Sequence, residues 1–339
     1  MRTAVVTEPY KVEIKEMDKP VIGPKDVLIK VKTAGICGSD LHLFKGTHAF
    51  RKPPAVLGHE VAGEVVEIGA EVTGLAIGDR VTVEPQIGCG ECEFCRRGLV
   101  NLCTNKTVPG TPKWCGTFAE YFAAREDITY KLAEGVSYEV GTLAEPLAVA
   151  VHVLRRLDLA NKESIAILGS GTIGLLCLMV AKHYGFKHII ATDTVPFNLE
   201  MAKKLGAELV INPVKEDAVK LVREFTDGRG VDATIIAAGA PTIIDQASAM
   251  TCRRGEMVLV AMITQKFPVD SYSWVFNEQR ISGAMTYESR DFQEAMEMIN
   301  GGMDLSEFVT QRLPMEETQK GLEILDQKTE NIVKIIVHP

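Results

Sequence analysis

The sequence lacks a basic excess. Lys and Arg number 37 against 45 Asp and Glu, a formal net charge of −8, so nothing in the balance suits a phosphate backbone, and nucleic acid is not an expected partner. It also lacks a long apolar run. The longest uncharged stretch, residues 164–181, is interrupted by three glycines and is expected to form a strand, a turn and a helix rather than a membrane span. The N-terminal segment alternates apolar and charged positions without a continuous apolar core, which reads as mature protein with the cytoplasm as its default location. Internal repeats and low-complexity linkers are absent too. The 339 residues are therefore expected to form two closely meeting domains with a ligand cleft between them. With 46% hydrophobic and 24% charged residues, wholesale disorder is excluded.

Two textures follow one another. Up to about residue 145, short β-branched runs (27–31, 61–68 and 81–83) alternate with Gly and Pro turns, an all-β pattern. From Ser164 the pattern becomes strand, helix, strand, helix. Strands are expected at 165–168, 189–192, 209–211, 233–237 and 257–260, with helices at 173–183 and 199–205, which argues a parallel, doubly wound sheet. Helical stretches at 292–300 and 316–328 and an apolar strand at 332–337 follow.

Eight cysteines are present, and four crowd into one short segment: Cys89-x₂-Cys92-x₂-Cys95-x₇-Cys103. Without an export signal, such clustering points to a metal before disulfides. Gly88, Gly90 and Gly98 permit tight wrapping, and four thiolates saturate a tetrahedral zinc, so the site is expected to be structural; iron–sulfur ligation is the chemical rival. Cys115, Cys177 and Cys252 are isolated and are expected to be packing residues. Cys37-Gly38-Ser39-Asp40-Leu41-His42 and Gly58-His59-Glu60 together offer a thiolate, an imidazole and a carboxylate, enough to hold zinc with a position left for water or substrate. Glu145 is a carboxylate inside an apolar stretch. It is either a metal ligand or a helix-N-terminal charge facing the dipole. His48, His183, His188 and His338 are expected to be surface or internally satisfied groups. Arg51 and Lys52 have the composition of an anion contact, although adjacent loop charges are more often solvated surface.

Gly169-Ser170-Gly171-Thr172-Ile173-Gly174 fits G-x-G-x-x-G between an expected strand and an expected helix, and Asp193 follows nineteen residues after the last glycine. That context marks a dinucleotide site. The glycines admit the pyrophosphate, the helix start (Thr172, Ile173) offers amide donors, and Asp193 accepts from the ribose hydroxyls. A carboxylate there repels a 2′-phosphate, and no Lys or Arg occurs between it and Lys203. NAD is expected over NADP.

These motifs, together with E-P-L-A-V-A-V-H at 145–152, occur in the order found in zinc-dependent medium-chain dehydrogenases, and the sequence resembles that family over nearly its whole length. The resemblance implies an α/β protein with a GroES-like β-rich catalytic domain (1–149 and 291–339) and a Rossmann doubly wound parallel-sheet domain (150–290). It implies two zinc ions per chain. Cys37, His59 and Glu60 or Glu145 would hold the catalytic one, Cys89, Cys92, Cys95 and Cys103 the structural one. Asp40 would orient His59, Ser39 would take the alcohol proton, and His42 would pass it to solvent. Zinc would act as a Lewis acid, NAD would accept hydride, and domain closure would exclude water. Glu145-Pro146-Leu147 and Ala284-Met285-Thr286-Tyr287 followed by Asp291-Phe292 resemble the sorbitol, butanediol and threonine dehydrogenase branch, with Thr286 and Tyr287 as substrate contacts. Thr286 stands where sorbitol dehydrogenases tend to have Arg, so no guanidinium fork is available there for a polyol. Along the cofactor, Val260 and Met262 flank Ala261, which replaces a more usual Gly, and Asn198 replaces a frequent Arg. A small-molecule alcohol or ketone substrate, no membrane partner and a homo-oligomer (tetramer or dimer) are also implied. Threonine-like β-hydroxy acids are the alternative substrates, and a non-catalytic NAD- and zinc-binding relative is the alternative of another class.

Overall fold

The computed structural model describes residues 1–48, 51–160 and 163–339. They divide into two compact units, Met1–Glu145 with Glu288–Pro339 and Pro146–Tyr287.

The first unit is built on a seven-stranded sheet whose long central strand is Asp26–Ile36. Its alternating Val27, Ile29 and Val31 face a core shared with Val65, Phe118, Phe122 and Ile335. Antiparallel neighbours are Glu60–Ile68 and Tyr121–Arg125 on the outward course of the strand and Lys334–His338 at its end. Val309–Pro314 adds a parallel edge. The register places Gly35 opposite Glu60 and Ile36 opposite Ile335. The chain then leaves the sheet at Cys37 and enters the helix Gly38–Phe44. Sequence periodicity thus delivers Cys37, Glu60 and Lys334 to one end of one sheet.

The second unit is a six-stranded, wholly parallel sheet. Across it the strands run Leu209–Ile211, His188–Thr192, Ser164–Leu168, Val231–Ile236, Thr251–Leu259 and Arg280–Gly283. The first strand in sequence is central, and strand order reverses between it and Val231–Ile236. In doubly wound sheets that reversal point is where ligands bind, outside the carboxyl ends of the strands. Both strands flanking it are buried throughout, as expected where helices cover both faces. Helices Thr172–His183 and Pro196–Leu205 follow the first two strands. Pro at the start and left-handed Gly206 at the end (φ 115°) punctuate the latter.

Boundaries depart from the sequence expectations where local charge hides pairing. Thr251–Leu259 begins six residues before the expected apolar run because Arg253 and Arg254 sit inside it, and Arg254 adopts φ 59°. The helix expected from 316 begins at Thr318, since Met315–Glu317 forms a 3₁₀ turn. Among the described residues, no helix is long and apolar enough to cross a membrane.

Candidate active site

The four-cysteine segment folds into a single lobe. A short helix, Glu93–Arg96, and a 3₁₀ turn, Val100–Leu102, bring the sulfurs of Cys89, Cys92, Cys95 and Cys103 within 4.8 Å of one another. Gly90 and Gly98 take φ of 78° and 77°, and a Cβ on Gly88 would come within 2.7 Å of the Cys95 sulfur. The Cys89 and Cys95 sulfurs are 3.9 Å apart, far too long for a disulfide but close to the ~3.8 Å separating two thiolates on one tetrahedral zinc. Backbone amides of Glu91 and Cys92 lower the Cys89 thiol to about 7, whereas burial and the neighbouring sulfurs, against the Gly90 amide, hold Cys95 up at about 12, so the four thiols do not ionise alike. Cys177 and Cys252 are buried and Cys115 is half-buried, all outside this lobe.

A second group comprises Cys37, His59 and Glu60, again with ligand atoms within 4.8 Å. Asp40, one turn into the helix after Cys37, is fully buried and accepts from the Cys37 amide at 3.1 Å and the Gly58 amide at 3.4 Å. Its Oδ1 lies 3.6 Å from His59 Nδ1, and that nitrogen has no hydrogen-bond partner. Burial raises the Asp40 carboxyl, yet the charge of His59 outweighs it and holds the group below the usual carboxylate range. His59 responds in kind: Asp40 and Cys37 outweigh burial and pull the imidazole well above its ordinary value. A buried carboxylate and a neighbouring sulfur around one imidazole make a place that attracts positive charge. Ser39 and His42 lie on the same helix, the former half-buried and the latter exposed.

Glu60 is not free to act as a simple ligand. Both its oxygens accept from Lys334 Nζ, at 2.7 and 2.8 Å, in a fully buried pair. Lys334 also donates to the Ile36 carbonyl at 3.3 Å. Gly35 is required beneath this pair, because a Cβ there would lie 1.9 Å from Glu60 Oε2. Glu145 is buried in the first turn of the helix Ala144–Arg155, and its charge helps to raise Lys334.

In the second unit, the turn 169–174 follows the central strand. Gly169 takes φ 98°, and a Cβ on Gly174 would sit 1.8 Å from the Gly169 carbonyl oxygen. Those two glycines serve close helix–strand packing. Gly171 differs, for a Cβ there meets nothing within 4 Å. It caps the helix Thr172–His183 without a side-chain hydrogen bond, and Thr172 and Ile173 are only half-buried. The helix start is thus an open set of amide donors. Asp193 accepts from the amides of Ser170 (2.7 Å) and Val195 (2.8 Å) and from Asn198 Nδ2 (3.2 Å), so its carboxylate is fixed beside that turn. Val260 is half-buried, and Met262 is 77% exposed. Thr286 adopts φ 45° with its hydroxyl buried and without a hydrogen-bond partner, whereas Tyr287 is buried at 2% exposure.

Residues 23–134 match the alcohol dehydrogenase GroES-like domain and residues 172–301 the zinc-binding dehydrogenase family. The chain is 36% identical over 345 residues to the sorbitol dehydrogenase of Bacillus subtilis, covering 100% of this chain and 97% of that one. It is 35% identical to the L-threonine 3-dehydrogenase of Caldanaerobacter subterraneus, with 96% of each covered. The structure of 2R,3R-butanediol dehydrogenase from Bacillus subtilis superposes with a TM-score of 0.92 at 32% identity, covering 100% and 99% of the two chains. The chain belongs to the zinc-binding alcohol dehydrogenase family.

As a zinc-binding dehydrogenase it carries donor sets that suit the metal: a four-cysteine lobe with one sulfur pair at 3.9 Å, near the spacing in a zinc tetrahedron, and a sulfur–imidazole–carboxylate group with ligand atoms within 4.8 Å of one another. A zinc-ligating imidazole ordinarily gives its other N–H to a carboxylate, the part Asp40 is placed to play. For NAD, the open Gly171 cradle and the immobilised Asp193 carboxylate fit a pyrophosphate and a ribose. Of three further features of this dehydrogenase, only the first was not singled out from sequence. Lys334 signals itself only as a lone cation within an apolar strand. Asn198 positions Asp193. Arg51, expected as solvated loop surface, is instead buried at 8% exposure, with Nε facing His48 and one terminal nitrogen donating to the Pro109 carbonyl. Its loop packs against the chain around Gly110, where a Cβ would come 3.3 Å from the Arg51 guanidinium.

Proposed function

We propose that this dehydrogenase oxidises a secondary alcohol in a polyol, vicinal diol, sugar or sugar acid to a ketone, with NAD as acceptor. The observation that carries the reading is the convergence of Cys37, His59 and Glu60 beside the helix that bears Ser39 and His42. When bound, zinc would supply Lewis acidity toward the substrate hydroxyl and NAD would be the hydride acceptor. Cys37 and His59 would hold the metal, with the third protein ligand drawn from Glu60 or Glu145. Asp40 fixes the tautomer of His59 through Nδ1. Ser39 Oγ receives the hydroxyl proton as hydride departs, and His42, at the solvent end of the same helix, hands it to water. That relay matters because hydride leaves an alkoxide far more readily than a neutral alcohol.

Asp193 selects NAD, since its carboxylate accepts from a free ribose 2′-hydroxyl and repels a 2′-phosphate. Thr286 and Tyr287 belong to the substrate side of this reading, and Val260 and Met262 to the cofactor side. A homo-oligomer and a cytoplasmic setting fit it too. The similarity to L-threonine 3-dehydrogenase favours β-hydroxy amino acids as the second reading. The deciding experiment follows NAD reduction by zinc-loaded enzyme over diols, polyols, aldonic acids and L-threonine, with and without a chelator. Turnover of polyhydroxylated compounds that is lost with zinc supports the first reading. Turnover of threonine alone supports the second, and reduction of NAD by no panel member overturns both.

A further inference from the structure

Glu84 is a buried carboxylate that the reaction does not use. It follows the strand Arg80–Val83 and is 1% exposed. Three neutral side chains donate to it: Ser289 Oγ at 2.8 Å, Gln86 Nε2 at 3.2 Å and the Tyr130 hydroxyl at 3.2 Å. They come from three stretches of chain, so one carboxylate fixes the orientation of all of them. Burial raises the Glu84 carboxyl above its ordinary value, against the pull of these donors. A group that is costly to bury and that immobilises three others is the support a binding site needs behind its lining.

All three donors line one cavity of about 290 Å³ inside the first unit. Gln293, on the same helix as Ser289, lines it as well and engages Tyr130. Ile87, Val100 and Ile128 add aliphatic surface. The two charged residues of the lining, Arg125 and Asp127, hydrogen-bond each other, Nε to Oδ1 at 2.9 Å. The lining therefore shows a ligand no net charge, which gives a phosphate, a carboxylate or a metal cation nothing to hold. Hydroxyl and amide groups beside aliphatic carbon remain. Ser289 and Tyr130 have their hydrogens committed to Glu84 and offer oxygen lone pairs, while the exposed Gln293 offers an amide.

We propose that this cavity binds a neutral polyhydroxylated molecule about the size of a single sugar. Its hydroxyls donate to the fixed oxygens and accept from the Gln293 amide, and its C–H surface lies on the aliphatic side chains. The volume is at the lower end of ordinary small-ligand pockets, roughly 300 Å³, which sets the size. No lining residue belongs to the Cys37 group. Binding there needs no turnover, so it holds whichever alcohol the enzyme oxidises. An occupant stabilises the folded protein by mass action.

Hydrogen exchange of the zinc-loaded, NAD-free enzyme, read by mass spectrometry, tests this with five- and six-carbon alditols, monosaccharides and inositol. At least one neutral member should slow exchange in residues 86–100 and 125–130, and titration calorimetry should show a matching binding event. Gln293→Trp puts a bulky ring at the cavity from an exposed position. It should weaken that event by about tenfold or more, and Gln293→Ala by less, with NAD affinity unchanged. Protection confined to the chain around Cys37 and His59, or no protection with any neutral member, overturns the proposal. So does a binding event of equal strength in Gln293→Trp. Tighter binding at the same segments by a phosphate ester or an amino sugar overturns it too, because the lining would then be selecting charge. Should Gln293→Trp fail to fold, the exchange map of wild type decides alone. Protection at the cavity without NAD reduction by any alcohol leaves this inference standing and sinks the functional reading.

Discussion

Lys334 lies between Val333 and Ile335 in an otherwise apolar C-terminal strand, and its ammonium meets both oxygens of Glu60 in the interior of the sheet. A pair like this costs desolvation on both sides, so its net worth is small, but removing one member strands a buried charge. Lys334→Met should therefore destabilise the zinc-loaded protein by about 3–5 kcal/mol, and the Lys334→Met/Glu60→Gln double variant should recover most of that loss. Urea unfolding of the four proteins measures it. Equal losses in the single and double variants would show that Lys334 acts through packing rather than charge. The Glu60 half of this pair was legible from Gly58-His59-Glu60, because short motifs advertise ligand chemistry. The Lys334 half was not. The two are far apart in sequence, and only the strand register, Gly35 opposite Glu60 and Ile36 opposite Ile335, brings them together. Arg51 shows the same limit, since a charge beside Pro53 and Pro54 has the local look of a surface loop.

At the scale of the element, the turn 169–174 separates two uses of glycine that one motif runs together. Gly174 has no room for a methyl group, with the Gly169 carbonyl 1.8 Å from where it would be, whereas Gly171 has open space. Gly174→Ala should accordingly cost roughly 1–3 kcal/mol of stability through overpacking. Gly171→Ala should leave thermal unfolding of the cofactor-free protein within about 0.5 kcal/mol of wild type while weakening NAD binding, because the added methyl enters the space the pyrophosphate approaches. Calorimetric unfolding alongside NAD titration distinguishes the two. A Gly171→Ala protein that binds NAD normally would mean that the pyrophosphate does not lie against that residue. The neighbouring elements were readable for a simple reason. Buried parallel strands are continuous apolar runs, and the Pro and Gly that bound the helices have fixed backbone preferences. Thr251–Leu259 was only half-readable, since Arg253 and Arg254 interrupt its apolar run while its backbone pairing continues.

For the whole molecule, the proposed reading divides the work between two groups that could hold a metal. The lobe of Cys89, Cys92, Cys95 and Cys103 offers four sulfurs, enough to saturate a tetrahedral zinc, whereas on that reading the Cys37 group would keep a position for a substrate oxygen. Cys37→Ser should abolish turnover and lower bound zinc from two per chain toward one, with the unfolding temperature little changed. Cys95→Ser should chiefly lower stability. Metal analysis, differential scanning calorimetry and activity on the same preparations check this. Loss of fold in both variants alike would remove the distinction between a structural and a catalytic metal.

The sequence by itself determined the family, the doubly wound sheet with its dinucleotide turn, and the four-cysteine lobe. Each of these is encoded by spacing, periodicity and glycine placement in short segments, which act locally. Tertiary structure alone decided that Glu60 is clasped by Lys334, that Asp193 is anchored by Asn198 and the Ser170 amide, and that Arg51 is buried against His48 and the Pro109 carbonyl. Those outcomes depend on which distant residues share a volume from which water is excluded. The strength of a charge is set by that exclusion, and no run of neighbouring residues specifies it.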